Sequence, residues 1–179
     1  ELSMRVLEYG ANIDVEKPIC VDLEQADALM EKARDKKANV AVHHQFRVGT
    51  FMKAVNREIS EGRIGHPRYI FCTGKGYYGG YGLMNIGTHL LSYVIKFAGH
   101  CRKVSALAMT DGHPVTPDDV VLSPHGMGTI TGEYITATLQ FDNNIASTLR
   151  LHRFPKIIGR GSTMEIYGTE GRILWSADG

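Results

Sequence analysis

Residues 12–18, Asn-Ile-Asp-Val-Glu-Lys-Pro, decide how the first part of this chain folds. Residues 12–15 predict a short buried strand. Proline at position 18 holds the residue before it out of the helical region, so the side chain of Lys17 projects from the end of that strand. Because ligands of open α/β sheets gather at the carboxyl ends of strands, Lys17 is a candidate functional residue.

A helix and a second strand are predicted directly after this stretch. Apolar residues recur on one face of residues 23–36, which predicts an amphipathic helix. Asp22 followed by Gln25 matches a capping box at the start of that helix. Residues 39–43 predict the next strand. The result is a strand–helix–strand unit, from which parallel α/β sheets are built.

The rest of the chain follows an antiparallel pattern. Residues 134–141 alternate between apolar and polar side chains, and residues 145–152 alternate back after a turn, which predicts a hairpin with one buried face. A second hairpin is predicted around the turn Gly168-Thr-Glu-Gly171. The other predicted elements are a helix over 50–61 capped by Thr50, a helix over 83–98 closed by Gly99, strands over 68–73 and 103–109, and a loop-like segment over 111–128.

The segment Asn85-Ile86-Gly87-Thr88-His89 contains a candidate catalytic pair. Asn85 and His89 are four residues apart, so on a helix they share a face. An imidazole can take a proton near neutral pH, which the oxidation of a hydroxyl by hydride transfer requires. The alternative is a structural histidine on an otherwise apolar helix.

A glycine- and tyrosine-rich loop comes just before this pair. Its sequence Gly74-Lys-Gly76-Tyr-Tyr-Gly79 matches the GxGxxG pattern of dinucleotide-binding sites. The first acidic residue after it is Asp111, well beyond the roughly 20 residues expected for an acid that binds ribose. Bulky tyrosines also stand where the backbone would approach a phosphate. A loop that borders a pocket is therefore favoured over a phosphate-binding loop.

Together, Glu16-Lys17-Pro18, the Asn85–His89 segment and the Gly168–Gly171 turn resemble the glucose–fructose oxidoreductase / inositol dehydrogenase family. Members are NAD(P)-dependent enzymes that mostly oxidise or reduce sugars and cyclitols. The resemblance covers nearly the whole chain, but only the latter part of a family member. It implies that residues 1–45 are the C-terminal remnant of a dinucleotide-binding domain and residues 46–179 a substrate-binding and oligomerisation domain. The expected fold class is α/β with an α+β second domain: an open, largely antiparallel sheet with helices on one face, preceded by the tail of a Rossmann-type domain.

The resemblance also implies roles for individual residues. His89 would accept the hydroxyl proton, Lys17 would polarise the reacting oxygen, and Asn85 would orient His89. Together with Lys17, Glu16 and Pro18 would line the cofactor side. The family usually has aspartate where this chain has Asn85; an amide carries no charge, so His89 would be a weaker base. The residues expected to contact substrate are Tyr81, Asn85, Thr88 and His89.

Composition limits the possible partners. The 20 basic and 19 acidic residues nearly cancel, so there is no electrostatic reason to expect nucleic acid or an anionic membrane. The three scattered cysteines fit reduced thiols in a cytoplasmic protein. No metal site is predicted, because the adjacent His43 and His44 point to opposite faces of a strand.

Two surface features bear on binding and assembly. The basic cluster of Arg150, His152, Arg153 and Lys156 lies at a strand end, where a solvated edge is favoured over an anion site. The polar face of residues 134–141 suits a partner sheet, so a homodimer or higher homo-oligomer through the sheet is expected.

The expected function is that of a fragment of an NAD(P)-dependent oxidoreductase acting on a sugar or cyclitol hydroxyl or carbonyl. The chain is expected to be inactive alone, with NAD or NADP bound mainly by an N-terminal domain that it lacks. Two alternatives stay open: an NAD-dependent, glycosidase-like relative, and a non-catalytic sugar-binding or assembly domain.

Overall fold

The structure, a computed structural model, describes residues 1–75, 82–122, 128–154, 156 and 161–176. The chain folds into two compact units, Glu1–Gln45 and Phe46–Gly179. Within the described residues, none of the helices combines the length and the apolar character needed to cross a membrane.

The first unit is a strand–helix–strand unit with a short helix in front of it. Its elements are α1 (Leu2–Leu7), β1 (Ile13–Glu16), α2 (Leu23–Asp35) and β2 (Val40–His43). β1 and β2 pair in parallel, which confirms the strand–helix–strand prediction. The helix α1 was not predicted. Its Leu7 packs with Leu29 and Ala33 of α2 to form the small buried core of this unit.

The start of α2 has the predicted cap. The backbone N–H of Gln25 donates to Oδ1 of Asp22 at 2.8 Å, and the Gln25 side-chain amide donates to Oδ2 at 2.6 Å. The first of these bonds satisfies one of the N–H groups that have no partner inside a helix. The Gln25 side chain therefore donates a hydrogen bond to the carboxylate of Asp22. In a standard capping box it would instead accept one from the backbone N–H of Asp22.

The second unit is an open sheet with two main helices. The helices are α3 (Thr50–Ser60) and α4 (Thr88–Ala98), and the strands are β3 (Pro67–Lys75), β4 (Cys101–Thr110), β5 (His113–Pro114), β6 (Val121–Leu122), β7 (Thr129–Ile130), β8 (Tyr134–Phe141), β9 (Ala146–His152), β10 (Ser162–Gly168) and β11 (Arg172–Ser176). The strands of the main sheet lie in the order β11-β10-β3-β9-β8-β4-β5. Neighbours are antiparallel except β3 and β9, so the largely antiparallel sheet is confirmed.

Both predicted hairpins are present, as β8–β9 and β10–β11. β3 lies between them, antiparallel to β10 and parallel to β9. The segment predicted to be loop-like contains β5, a 3-10 turn at Pro117–Asp119, and β6, which pairs with β7. The short strands of this segment have little periodicity, which is why the pattern did not reveal them.

One face of the main sheet is buried beneath helices, as predicted. Alternate residues point to this face, and those of β8 include Leu139 and Phe141. The core joins them to residues of three other strands and of α4: Ile70, Cys72, Leu149, Leu151, Met164, Ile166, Leu90, Tyr93 and Val94. The opposite face, which we call the open face, carries Tyr134, Thr136, Thr138 and Gln140 of β8 with Arg150 and His152 of β9.

Two details of the predicted helices are wrong. Gly49, in place of Thr50, is the N-cap of α3, and no side chain bonds to that cap. The helix predicted over 83–98 is α-helical only from Thr88 onward, because residues Gly82–Gly87 form a wider, π-helical turn. Gly99 ends α4 as predicted, with a φ of 84° that favours glycine.

The turn Gly168–Gly171 clamps the chain that leads into β3. The backbone N–H groups of Thr169 and Glu170 donate to the carbonyls of His66 and Ile64 at 3.1 and 3.0 Å. The backbone N–H of His66 donates back to Oγ1 of Thr169 at 3.0 Å. Gly168 allows this contact, because a Cβ atom there would lie 2.0 Å from the carbonyl oxygen of Ile64.

Alkaline pH is expected to destabilise the second unit. Burial raises the pKa of the Cys72 thiol to about 12. The pKa of Tyr93 is also raised, mainly by burial and further by the charge of the nearby Cys72 thiolate. A raised folded-state pKa contributes stability that is complete below the unfolded-state pKa and is lost as the pH rises toward the folded-state value. We expect Cys72 alone to cost about 2 kcal/mol of unfolding free energy between pH 7 and 10. Urea unfolding across this pH range measures the loss, and Cys72→Ala should flatten it; equal slopes for the two proteins would contradict the assignment.

Candidate functional site

Glycines let the π-helical turn Gly82–Gly87 lie directly on the sheet. A Cβ atom at Gly87 would come within 2.9 Å of the side chain of Leu151 on β9. At Gly74, on β3, it would lie 2.6 Å from Ile86 and 2.9 Å from Leu151. Gly74 therefore serves a close packing contact between strand and turn. The other two glycines of the GxGxxG pattern, Gly76 and Gly79, lie outside the described residues.

The π-helical turn changes how Asn85 relates to His89. A π-helix takes more residues per turn than an α-helix, so the four-residue spacing no longer gives simple α-helical stacking. Asn85 lies in the π-helical turn, whereas His89 lies in the first turn of α4. The Thr88 hydroxyl, proposed for substrate contact, donates to the backbone carbonyl of Asn85 at 2.9 Å. It thereby fixes the junction between the two helical forms. Turns of this type occur frequently at functional sites.

His89 lies almost fully inside the protein, with 5% of its surface exposed. Its imidazole meets the ring of Phe46 edge-on, at a centroid distance of 5.4 Å and an interplanar angle of 68°. Phe46 in turn contacts Phe51 and Trp175, at centroid distances of 6.5 and 6.2 Å. The candidate base is therefore held at the margin of an aromatic cluster.

The sequence did not point to Phe46 as part of the site. It lies in a 3-10 turn, Gln45–Val48, between a strand and a helix, where no periodicity marks the buried side of a residue. The cluster also depends on Trp175, which comes from the far end of the chain. Its ring stacks on that of Phe51, with ring centroids 4.3 Å apart. Only folding brings these residues together with His89.

Lys17 belongs to the first unit and directly follows β1, as expected. Partial burial lowers the pKa of its ammonium group, and the charge of Glu16 acts in the opposite direction. The Lys17–Pro18 peptide bond is cis. Because burial lowers its pKa, Lys17 holds its proton less tightly than an ordinary lysine, a property suited to proton or carbonyl chemistry.

The predicted site residues are distributed over both units. Glu16, Lys17 and Pro18 lie in the first unit, whereas Asn85, Thr88 and His89 lie together around the start of α4 in the second. Tyr81 lies outside the described residues. Within the described part of the chain, no group of three or more His, Cys, Asp or Glu side chains could hold a metal ion.

The predicted basic cluster is divided between different surroundings. On the open face, the guanidinium of Arg150 lies over the ring of Phe71, 5.9 Å from its centroid. The pKa of His152 is lowered mainly by burial, and further by the positive charges of Lys75 and Arg150. Arg153 instead lines a cavity of about 260 Å³ with Thr110, Asp119 and Gly132. Arg150 and Arg153 thus have different surroundings.

The fold defines a class of protein. An open, mostly antiparallel sheet with helices on one face, preceded by a strand–helix–strand unit, is the architecture of the C-terminal part of NAD-dependent oxidoreductases. The chain belongs to the GFO/IDH/MocA family, because residues 52–174 match the C-terminal domain of that family. This confirms the resemblance inferred from the sequence motifs.

Solved structures share this fold at low sequence identity. An NAD-binding oxidoreductase from Klebsiella pneumoniae is 20% identical, with a TM-score of 0.82 over 99% of this chain and 51% of that one. A levoglucosan dehydrogenase in complex with NADH and levoglucosan is 20% identical, with a TM-score of 0.79 over 99% and 51% of the two chains. A super-repressor mutant of Gal80p from Saccharomyces cerevisiae is 14% identical, with a TM-score of 0.78 over 99% and 52%.

The chain spans about half the length of these solved structures. None of the curated proteins is similar enough in sequence to count as a match. The similarities therefore concern the fold.

Proposed function

We propose that this chain forms the substrate side of an NAD(P)-dependent oxidoreductase that acts on a hydroxyl or carbonyl group of a sugar or cyclitol. The observation that carries this proposal is the placement of His89. Its imidazole is buried under Phe46 at the start of α4, directly after a π-helical turn that glycines hold against the sheet. Family membership over residues 52–174 supports the reaction class.

In the proposed mechanism, residues 1–45 are the end of a dinucleotide-binding domain and residues 46–179 the substrate-binding and oligomerisation domain. Lys17 fits a position beside a nicotinamide, since it lies at the carboxyl end of β1 and its pKa is lowered. The nicotinamide, held mainly by the N-terminal domain, would supply hydride acceptance or donation when bound. Glu16 and Pro18 would line that side of the site.

The residues of the chain would handle the proton and the substrate. His89 would accept the hydroxyl proton as general base, while Lys17 would donate a hydrogen bond to the reacting oxygen. Asn85 would help to orient the imidazole without adding charge, and Thr88 would hold the turn that carries it. Tyr81, in the glycine-rich loop, would complete the substrate contacts.

A nicotinamide assay on the full-length protein tests the reaction class. The protein would be incubated with NAD or NADP and a panel of sugars and cyclitols, and we expect nicotinamide absorbance to change with one substrate class. Release of free sugar from glycosides without net NADH accumulation would favour the glycosidase-like alternative. No reaction with either panel, together with measurable sugar binding, would favour the non-catalytic alternative, which the neutral Asn85 also supports.

We further propose a homodimer through the open face. Thr138 and Gln140 of β8 are exposed there. Leu107 of β4, which pairs with Thr136 of β8, is 48% exposed. Such a face can meet a second copy of itself around a two-fold axis. A specific interface should bury more than about 1,000 Å².

Introducing a charge on this face should separate the subunits. In Thr138→Glu, each dimer would bury two carboxylates in the interface without partners. We expect light scattering to give a dimer mass for the unchanged protein and a monomer mass for this variant. Thr129→Glu, an exposed threonine of β7 outside the main sheet, is the matched control and should remain dimeric. A monomer mass for the unchanged protein at high micromolar concentration would contradict the proposal.

A further inference from the structure

Two neighbouring residues, Phe46 and Arg47, fasten the chain onto α4 where the candidate base lies. We call residues 46–47 the strap. The ring of Phe46 packs edge-on against the imidazole of His89, with ring centroids 5.4 Å apart. Nη1 of Arg47 donates to Oγ of Ser92 at 3.2 Å, and Ser92 is buried one turn further along α4. The strap therefore contacts two successive turns of this helix.

The exposure of the two rings is the reverse of ordinary core packing. Phe46 is 38% exposed, whereas the histidine that it covers is 5% exposed. A phenylalanine placed only to bury its own apolar surface would be shielded more fully than its polar neighbour. The contact thus shields and orients the imidazole more than it buries Phe46.

The rest of the aromatic cluster does not depend on the contact with His89. Phe51 stacks on Trp175 with ring centroids 4.3 Å apart and an interplanar angle of 15°. Phe51 also meets Tyr93 edge-on at 5.8 Å, and Tyr93 is fully buried. Phe51 therefore packs the core, and Phe46 connects that core to His89.

We propose that Phe46 is a positioning residue, which holds the His89 imidazole in the orientation that accepts the substrate proton, with Arg47 anchoring the strap on α4. This inference rests on the proposed function, in which His89 is the general base. Edge-to-face contacts between rings have a preferred geometry, so Phe46 restricts rotation of the imidazole. Proton transfer depends steeply on the placement of the accepting atom, so loss of this restriction should slow the chemical step.

The test uses the full-length enzyme with the strap residue changed. Phe46→Leu keeps an apolar side chain but removes the ring edge. We expect it to lower kcat about tenfold, because small misplacements of a catalytic group have effects of this order or larger. KM and the affinity for the cofactor should change by less than about twofold, because Phe46 acts on proton transfer to His89 and not on the binding of substrate or cofactor. Phe46→Tyr, which keeps the ring, should restore most of kcat.

Phe51→Leu is the matched control, since it removes a ring from the same cluster without touching His89. It should lower the thermal midpoint more than Phe46→Leu does, because Phe51 packs the core and Phe46 is partly exposed. Its kcat should fall less than that of Phe46→Leu, because Phe51 reaches His89 only through Phe46. If instead kcat follows the thermal midpoint in both variants, Phe46 is a structural residue and the proposal is overturned.

A chemical probe separates this inference from the proposed function. Diethyl pyrocarbonate modifies accessible imidazoles, and peptide mass spectrometry gives the rate at His89. We expect this rate to rise in Phe46→Leu and to rise less in Phe51→Leu, which leaves the ring of Phe46 in place. If the unchanged protein turns over substrate but Phe46→Leu keeps full kcat, the inference fails and the proposed function stands. If the unchanged protein has no turnover, the catalytic role of Phe46 is overturned with the proposed function, and a faster His89 modification would leave only the shielding contact.

Discussion

Replacing Gly168 by alanine is expected to destabilise the second unit strongly. The new Cβ atom would lie 2.0 Å from the carbonyl oxygen and 2.9 Å from the carbonyl carbon of Ile64. These are backbone atoms, so no rotation of a side chain can relieve the overlap. We expect a loss of about 3 kcal/mol, from overpacking together with weakening of the bond between the Glu170 N–H and the Ile64 carbonyl. Thermal unfolding should show a midpoint lower by about 10 °C.

Gly171, at the other end of the same turn, provides the matched control. An added Cβ atom there would approach its neighbours no closer than 3.4 Å, which requires small adjustments only. Gly171→Ala should therefore keep most of the stability of the unchanged protein. If the two variants unfold at the same temperature, the clamp between this turn and Ile64 does not contribute as inferred.

Replacing His89 by alanine is expected to lower kcat of the full-length enzyme by about 10²–10⁴-fold, the usual effect of removing a general base. The dissociation constant of the cofactor should change little, because the proposed role of His89 is to take the substrate proton. Stopped-flow or steady-state measurement of nicotinamide absorbance gives the rate. Because His89 is buried, His89→Gln should be measured alongside to limit the cavity that alanine leaves.

His100 is a control of the same residue type, since it is exposed and lies beyond the end of α4. His100→Ala should leave turnover unchanged. A His89→Ala enzyme that keeps its rate would show that His89 is structural.

The residue at position 85 allows a finer test of the same chemistry. A carboxylate near an imidazole stabilises the imidazolium, so Asn85→Asp should move the acid limb of the pH–rate profile to higher pH. The amide of the unchanged protein has the size of a carboxylate but no charge. An unchanged profile in this variant would mean that residue 85 does not act on the base.

Much of the fold could be predicted from the sequence because the deciding interactions are local. Alternating residues in 134–141 and 145–152, with a turn between them, specify a hairpin without reference to the rest of the chain. Asp22 and Gln25 similarly specify the start of α2 through bonds across three residues. The motifs around Lys17 and His89 led to the family, and the match over residues 52–174 confirms it.

Tertiary structure alone decided how these parts combine. β3 pairs in parallel with β9 and antiparallel with β10, strands that are far along the chain and carry no local signal for this order. The first helical turns before α4 become π-helical where Gly74 and Gly87 allow close packing on Leu151. Phe46 meets His89 only after both have been placed by the core.

The sequence by itself thus determined the periodic elements, the cap of α2, the two hairpin turns, and the residue types available for proton transfer. The surroundings of those residues were decided by contacts between segments far apart along the chain. Packing depends on the shapes of atoms brought together from distant positions, as with Gly168 against Ile64 or Phe46 against His89, and a periodic pattern in one segment carries no information about the other.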